Sequence, residues 1–117
     1  ILLVDMPPGT GDIHLSMAQQ VPLSGALIVT MPPAIANLDA GKCISMFQRV
    51  NVPVLGVLEN MSGEIFGAGG GEELAMQRGV PYLGSVALSQ PIRQAGESRT
   101  APPDAVLALY QPVVEAL

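Results

Sequence analysis

The sequence predicts an α/β fold built around a parallel β-sheet. Short apolar runs alternate along the chain with stretches in which apolar residues recur at helical spacing. Strands that alternate with helices pair in parallel through right-handed crossovers. The 13 glycines and 11 prolines fall mostly between the apolar runs, where they act as turn residues. Of the 117 residues, 49% are apolar and only 3% aromatic, which favours a sheet packed with aliphatic side chains.

Four apolar runs are predicted to form adjacent strands of one sheet. The first run is continuously apolar up to its final acid, as is typical of a strand buried on both faces, and Pro7 and Pro8 end it. We therefore expect Asp5, Thr30 and Asn60 near the carboxyl edge of the sheet, where open α/β sheets bind their ligands. The four runs are Ile1–Asp5, Ala26–Thr30, Val54–Glu59 and Tyr82–Val86.

Helical spacing predicts five further segments. Asp12 is a suitable N-cap for the first of them, Gly79 ends the third, and Pro112 should delay or kink the last. The second carries an apolar stripe made of Ile35, Leu38, Cys43, Met46, Phe47 and Val50. The five segments are Ile13–Gln20, Ile35–Val50, Glu72–Arg78, Pro91–Ala95 and Asp104–Leu117.

Composition argues against several classes of partner. The net charge is −5 and the five basic residues are scattered along the sequence, so no nucleic-acid footprint is present. No apolar run reaches the length of a membrane span, and no signal-peptide pattern is recognisable. A single cysteine excludes an internal disulfide framework and favours a reducing compartment, most simply the cytoplasm.

The segment from Asp5 to Asp12 reads DMPPGTGD and carries the strongest chemical pattern. An acid that ends a buried strand is typical of the Walker B motif, in which the carboxylate holds the hydration shell of Mg²⁺. Gly9 and Gly11 would let backbone N–H groups approach a γ-phosphate closely. An apolar run followed by an acid also describes a plain strand end before an N-capped helix, and that alternative stays open on this pattern alone.

The whole chain resembles the second half of the Mrp (ApbC) family. These proteins are P-loop ATPases of the MinD-like, deviant-Walker-A group and are described as iron–sulfur cluster carriers. The resemblance implies a Rossmann-like three-layer P-loop NTPase fold, with residues 1–117 as the C-terminal part of one domain. It also implies a homodimer that holds ATP at the subunit interface. The matching segments are ILLVDMPPGTGDIHLSMAQQ, ALIVT, VNVPVLGVLENMS, IFGAGGGEELA and VPYLGSV.

The resemblance also implies roles for individual residues. Asp5 corresponds to the Walker B acid near Mg²⁺, and Pro7–Gly11 to the switch segment that senses the γ-phosphate. Asn60 corresponds to the residue that reads adenine, a task suited to an amide because it can donate and accept at once. The implied catalytic residues are Asp5, Gly9, Thr10 and Gly11, the implied cofactor contacts are Pro7, Pro8 and Asn60, and Asp5 is the implied metal ligand.

The chain departs from the family pattern at several places. The family's Gly/Lys-rich phosphate loop would lie before Ile1 and is not in this sequence. Gly67–Gly71 does not replace it, because no Lys-Ser/Thr follows, and is predicted to be a turn into a helix. Only Gly63 and Glu64 separate Ser62 from Ile65, where relatives carry a Cys-x-x-Cys. Pro33, Ala34 and the segment VALSQ also differ from the polar residues usual in relatives.

The remaining candidate residues have ordinary structural explanations. Cys43, on the apolar stripe, is expected to be a small buried hydrophobe. His14 is expected to be exposed or to cap its helix. Glu59 suits a structural hydrogen bond as well as a functional one, and Asp39 is either near the nucleotide or solvated.

The first interpretation is therefore an ATP-binding, ATP-hydrolysing iron–sulfur cluster carrier that uses Mg²⁺. Its expected partners are a second copy of itself and iron–sulfur apo-proteins or assembly factors, with neither nucleic acid nor membrane. Two alternatives stay open: a MinD-like, nucleotide-switched scaffold without cluster binding, and an inactive fragment.

Overall fold

A computed structural model describes residues 1–117 as a three-stranded parallel sheet with helices on both faces. The strands are β1 (Ala26–Thr30), β2 (Val54–Ser62) and β3 (Tyr82–Ala87), and they lie in the order β1-β2-β3. Each strand is joined to the next through a helix, so neighbours in sequence are also neighbours in the sheet. The predicted α/β class is confirmed.

The helices follow the predicted segments closely, with differences at their ends. Gly79 ends the third helix in the left-handed conformation, at φ 64°. A 3₁₀ turn at Ala108–Tyr110 interrupts the last segment just before Pro112, as proline in a continuous helix would require. The six helices are α1 (Asp12–Gln20), α2 (Ala34–Arg49), α3 (Gly70–Arg78), α4 (Gln90–Ser98), α5 (Asp104–Leu107) and α6 (Gln111–Ala116).

The predicted first strand is wrong: Ile1–Asp5 forms no strand. Exposure falls only from 101% at Ile1 to 47% at Val4, so no described element covers this run. A strand needs ladder hydrogen bonds and cover over its faces, and neither β1 nor any helix supplies them here. The sheet therefore has three strands and not the expected four, and Asp5 lies outside it.

Two predictions about α1 are also wrong. Asp12 is the first residue of the helix rather than its N-cap, which is Gly11 without a side-chain hydrogen bond. An acid in the first turn still favours the helix through the macrodipole. His14 is only 5% exposed, and its Nδ1 has no hydrogen-bond partner, so it neither faces solvent nor caps the helix.

Two apolar clusters hold the layers together, one on each face of the sheet. On the first face, residues of β1 and β2 pack against α2 and α3, and the cluster contains Ala26, Ile28, Ala40, Ile44, Phe47, Val52, Val57, Leu74 and Ala75. On the second face, β2 and β3 pack against α6, and the cluster contains Leu58, Leu83, Val86 and Val113. Covering both faces of a parallel sheet gives the three-layer arrangement that the resemblance implied.

The buried stripe of α2 differs from the predicted one. Ile35 and Leu38 are 72% and 62% exposed, whereas Ala40, Ile44 and Phe47 are buried. Their spacing of four and three residues is the usual pattern of a helix face that packs on a sheet.

Candidate functional site at the carboxyl edge of the sheet

The carboxyl ends of the strands bring polar side chains of neighbouring strands together. Thr30 of β1 is paired in register with Glu59 of β2, and both are buried, with 5% and 0% exposed. Asn60 follows Glu59 and is paired with Val86 of β3. It lies inside β2 rather than after it, because β2 runs on to Ser62. The prediction that Asp5, Thr30 and Asn60 share this edge is therefore confirmed for Thr30 and Asn60, whereas Asp5 belongs to no strand of the sheet.

Glu59 fastens the start of α3 to the sheet. Its Oε1 accepts a hydrogen bond from the Gly69 N–H at 3.0 Å, and its Oε2 accepts one from the Gly71 N–H at 2.7 Å. These are N–H groups at a helix N-terminus, which have no partner within the helix and attract anions. A carboxylate of the chain itself therefore fills the position that a phosphate would need. Of the two roles predicted for Glu59, structural and functional, the structure shows the structural one.

The glycines of this turn allow α3 to approach the sheet closely. A Cβ at position 71 would lie 2.9 Å from the Glu59 Cβ and 3.2 Å from the Thr30 Cγ2. Gly69 takes a left-handed φ of 90° as the N-cap, a conformation that glycine adopts at little cost. Gly67–Gly71 is thus a turn into a helix, as predicted.

A second polar group, Asn37, fixes the loop that follows β1. The Thr30 hydroxyl donates to Asn37 Oδ1 at 3.0 Å, and Asn37 Nδ2 donates to the carbonyl oxygens of Pro32 and Pro33 at 3.0 and 3.3 Å. This role was not predicted from the sequence. The available signal was an amide residue in the first turn of a helix, since a short amide side chain there can reach backbone groups of the preceding loop.

The residues that follow Asn60 in β2, Met61 and Ser62, line a cavity of about 370 Å³ at the end of β2 and β3, although Asn60 itself is not among the lining residues. Its Oδ1 accepts a hydrogen bond from the Met61 N–H at 2.9 Å, and Met61 has a left-handed φ of 59°. The cavity is within the usual size range of small-molecule pockets, about 300–1,000 Å³. It is lined by Met61, Ser62, Gly63, Glu64, Ile65, Ala87 and Leu88.

A short closed loop forms one wall of this cavity. Gly63 and Gly67 exchange two backbone hydrogen bonds, at 2.8 and 2.7 Å, so the chain turns back over only three intervening residues. The Leu88 N–H donates to the Ser62 carbonyl at 2.9 Å and ties the loop to the end of β3.

The segment from Asp5 to Gly11 makes no hydrogen bond to Asn60. Asp5 and Pro7–Gly11 are exposed, and no hydrogen bond joins them to the ends of the strands. The segment instead contacts α2, where the Cys43 thiol donates to the Gly9 carbonyl at 3.5 Å. Asp5 makes no ion pair or hydrogen bond within the chain, so its carboxylate is accessible to the water shell of a metal ion.

Cys43 is the only thiol and is half-buried on α2. Burial, and secondly the negative charge of Asp39, raises the pKa of the Cys43 thiol above its usual value. Asp39 itself is exposed and forms an ion pair with Lys42 at 3.0 Å, which is the solvated alternative of its two predicted positions.

No group of three or more His, Cys, Asp or Glu side chains is arranged to hold a metal ion. No helix combines the length and apolarity needed to cross a membrane.

Fold and sequence together define a class of protein. A parallel sheet with helices on both faces, a polar carboxyl edge and the DMPPGTGD segment are the C-terminal elements of an α/β P-loop NTPase. The chain belongs to the ParA family described as NUBPL iron-transfer P-loop NTPase, whose family model matches residues 1–115. The resemblance noted from the sequence is thereby confirmed.

Individual relatives agree with this assignment. The chain is 48% identical over 125 residues to an iron–sulfur cluster carrier protein of Pseudomonas fragi, covering 94% of this chain and 44% of that protein. It is 48% identical over 106 residues to the iron–sulfur cluster transfer protein NUBPL of Mus musculus, covering 82% of this chain and 33% of that protein. A carrier protein of Methanocaldococcus jannaschii is 43% identical over 107 residues, 82% of this chain and 37% of that protein. The chain thus spans less than half the length of these relatives.

Proposed function

We propose that the full-length protein is an iron–sulfur cluster carrier that binds and hydrolyses ATP in the cytoplasm. The observation that carries the proposal is the match to the iron-transfer family over residues 1–115, which includes the DMPPGTGD segment. Relatives named as iron–sulfur cluster carriers support the cargo. The expected partners are a second copy of the protein and iron–sulfur apo-proteins or assembly factors.

The residues of this chain fit one part of an ATP site. Bound ATP with Mg²⁺ would supply the phosphoryl group that is transferred to water. The exposed Asp5 carboxylate would hold the hydration shell of the metal. The backbone of Gly9 and Gly11 has open space around it, with nothing within 4 Å of a Cβ built at either position, so it can approach a γ-phosphate.

Other residues would position the nucleotide. Asn60, whose Oδ1 is held by the Met61 N–H, keeps its Nδ2 protons to donate to the edge of a base placed at the neighbouring cavity. Pro7 and Pro8 would stiffen the switch segment, since proline fixes φ, and Thr10 would offer a hydroxyl beside Gly11. The phosphate cradle itself must come from another part of the protein, because Glu59 occupies the N–H groups at the start of α3.

The cluster is cargo, and this chain does not supply enough ligands for it. Iron–sulfur clusters are usually held by four thiolates, whereas two copies of this chain bring only two, from Cys43. We therefore expect no stable cluster on residues 1–117 alone. Anaerobic reconstitution with iron and sulfide should leave only background absorption. A stoichiometric cluster that disappears in the Cys43→Ser variant would contradict this expectation.

The full-length protein allows the proposal to be tested as a whole. After anaerobic reconstitution, it should bind ATP, hydrolyse it in a Mg²⁺-dependent manner, and pass its cluster to an apo-ferredoxin. One second candidate is a MinD-like scaffold, which is favoured because the closed Gly63–Gly67 loop holds no cysteine where the resemblance implies a cysteine-bearing insert. ATP-dependent dimerisation without cluster uptake would support the scaffold and contradict the carrier. Absence of both ATP binding and cluster uptake would identify an inactive protein.

A further inference from the structure

A second cavity, which Thr10 of the switch segment also lines, gathers most of the positive charge of the chain. It measures about 520 Å³ and lies between α2, the end of α3 and the start of α1. Lys42, Arg49 and Arg78 line it, which is three of the five basic residues in a chain of net charge −5. No acidic residue is among its lining residues. The cavity is therefore a cationic surface on an otherwise acidic protein.

The cations of this cavity are largely uncompensated. The chain has only two ion pairs, Lys42 with Asp39 and Arg93 with Glu97. Arg49 and Arg78 take part in neither. The Lys42 pair is solvent-exposed, with 66% and 67% of the two side chains accessible, so it neutralises little of the charge. An anionic ligand would find two unpaired guanidinium groups and one weakly paired ammonium.

Arg78 is oriented by its surroundings. Its Nη1 donates to the Ser45 hydroxyl at 2.9 Å, and that hydroxyl in turn donates to the Gly41 carbonyl at 3.0 Å. Gly41 also makes the space for the guanidinium, since a Cβ there would lie 2.9 Å from Arg78 Nη2. A guanidinium held in place loses less conformational entropy when it binds an oxyanion.

We propose that this cavity binds an acidic peptide segment of a partner protein. Lys42 and Arg49 are seven residues apart on α2, hence about 10 Å along the helix axis, which suits carboxylates about three residues apart on an extended chain. A single phosphate is too small to span that distance. The cavity is also lined by the apolar Leu15, Met46 and Val50, which can accommodate an aliphatic side chain between acidic ones. Mixed cationic and apolar lining fits a peptide better than a nucleic acid, whose phosphates need no apolar contact.

Thr10 belongs to the proposed ATP site and also lines this cavity, so the binding is measured on the full-length protein without nucleotide or cluster, where loss of ATP hydrolysis cannot account for loss of binding. The probe is a fluorescent peptide, Glu-Asp-Leu-Glu-Asp-Leu-Glu, followed by fluorescence anisotropy, with Gln-Asn-Leu-Gln-Asn-Leu-Gln as its uncharged counterpart. The acidic peptide should bind saturably and more weakly as salt is raised, and the amide peptide should not bind. The double variant Lys42→Gln/Arg49→Gln should lose about tenfold in affinity.

The matched control removes the same charge elsewhere. Arg93→Gln/Arg99→Gln changes the net charge by the same amount, at the two basic residues outside the cavity. It should leave the affinity within about twofold. A charge reversal, Lys42→Glu/Arg49→Glu, should gain affinity for the peptide Lys-Lys-Leu-Lys-Lys-Leu-Lys, which guards against loss of binding through misfolding. Equal losses in both double variants would overturn the proposal. Tighter binding of inorganic phosphate or a single-stranded oligonucleotide than of the peptide would also overturn it.

Discussion

Replacing Glu59 by Gln should strongly destabilise the fold. The Glu59 side chain is fully buried, and each of its oxygens accepts one hydrogen bond, from Gly69 and from Gly71. Glutamine keeps the shape and one acceptor oxygen, but its amide nitrogen can only donate. One N–H at the start of α3 would then face another donor in a place that water does not reach.

The magnitude follows from the loss of one charged hydrogen bond. Hydrogen bonds to a charged group contribute about 1.5–3 kcal/mol, and leaving a buried donor unpaired costs about 1–3 kcal/mol. The favourable interaction of a carboxylate with the helix N-terminus adds about 0.5 kcal/mol. These contributions overlap, so we expect the free energy of unfolding to fall by about 2–4 kcal/mol. That is a large part of the stability of an ordinary domain, about 5–15 kcal/mol.

Urea denaturation of the full-length protein, followed by far-ultraviolet circular dichroism, measures this loss. Glu72→Gln is the matched control, because it removes the same charge from the first turn of α3 at an exposed position. It should change the free energy of unfolding by about 0.5 kcal/mol or less. If Glu59→Gln were no more destabilising than Glu72→Gln, the two hydrogen bonds would not hold α3 as described.

Two further predictions concern the same edge and α2. Gly70→Ala should lower the free energy of unfolding by about 3 kcal/mol, because a Cβ there would overlap the Pro32 carbonyl oxygen and lie 2.5 Å from Asn37 Nδ2. Gly96→Ala, at a position with open space on α4, should instead raise it by about 0.5–1 kcal/mol. Thermal unfolding measures both variants, and equal effects would contradict the packing described for Gly70. Cys43 should react slowly with iodoacetamide at neutral pH, because its raised pKa leaves little thiolate, and Asp39→Asn should lower that pKa and speed alkylation about twofold. An unchanged or slower rate would show that the charge of Asp39 does not reach the thiol.

The sequence predicted the sheet well where each strand carries its own signals. The bounds of Ala26–Thr30 agree with the structure, because turn residues flank an apolar run that packs against α2 on one face. β2 and β3 are longer than predicted, since pairing between them continues past Glu59 through residues that do not look strand-forming. The run Ile1–Asp5 has the composition of a buried strand. A strand also needs a neighbouring strand to pair with, which composition does not reveal, and no described element pairs with this run.

Side-chain placement was less predictable than element type. The polar pattern indicated that Thr30 and Asn60 share an edge, but it did not reveal that Glu59 binds the start of α3 or that Asn37 fixes the loop after β1. Such contacts join residues seven to twelve positions apart, through a turn with two prolines after Thr30 and a glycine-rich turn before Gly71. The burial of His14 was missed for a related reason, because helical spacing alone does not say which face α1 turns inward.

The most direct test of the proposed ATPase is the turnover of the Asp5→Asn variant. Asparagine keeps the shape of the side chain but loses the charge that would hold Mg²⁺, and loss of one electrostatic contribution of this kind costs about a hundredfold in kcat. Asp12→Asn is the control, because Asp12 is the other acid of the same segment and starts α1. Mg²⁺-dependent ATP hydrolysis by the full-length protein should fall about a hundredfold in Asp5→Asn and stay near the wild-type rate in Asp12→Asn. Unaltered hydrolysis in Asp5→Asn would contradict this prediction.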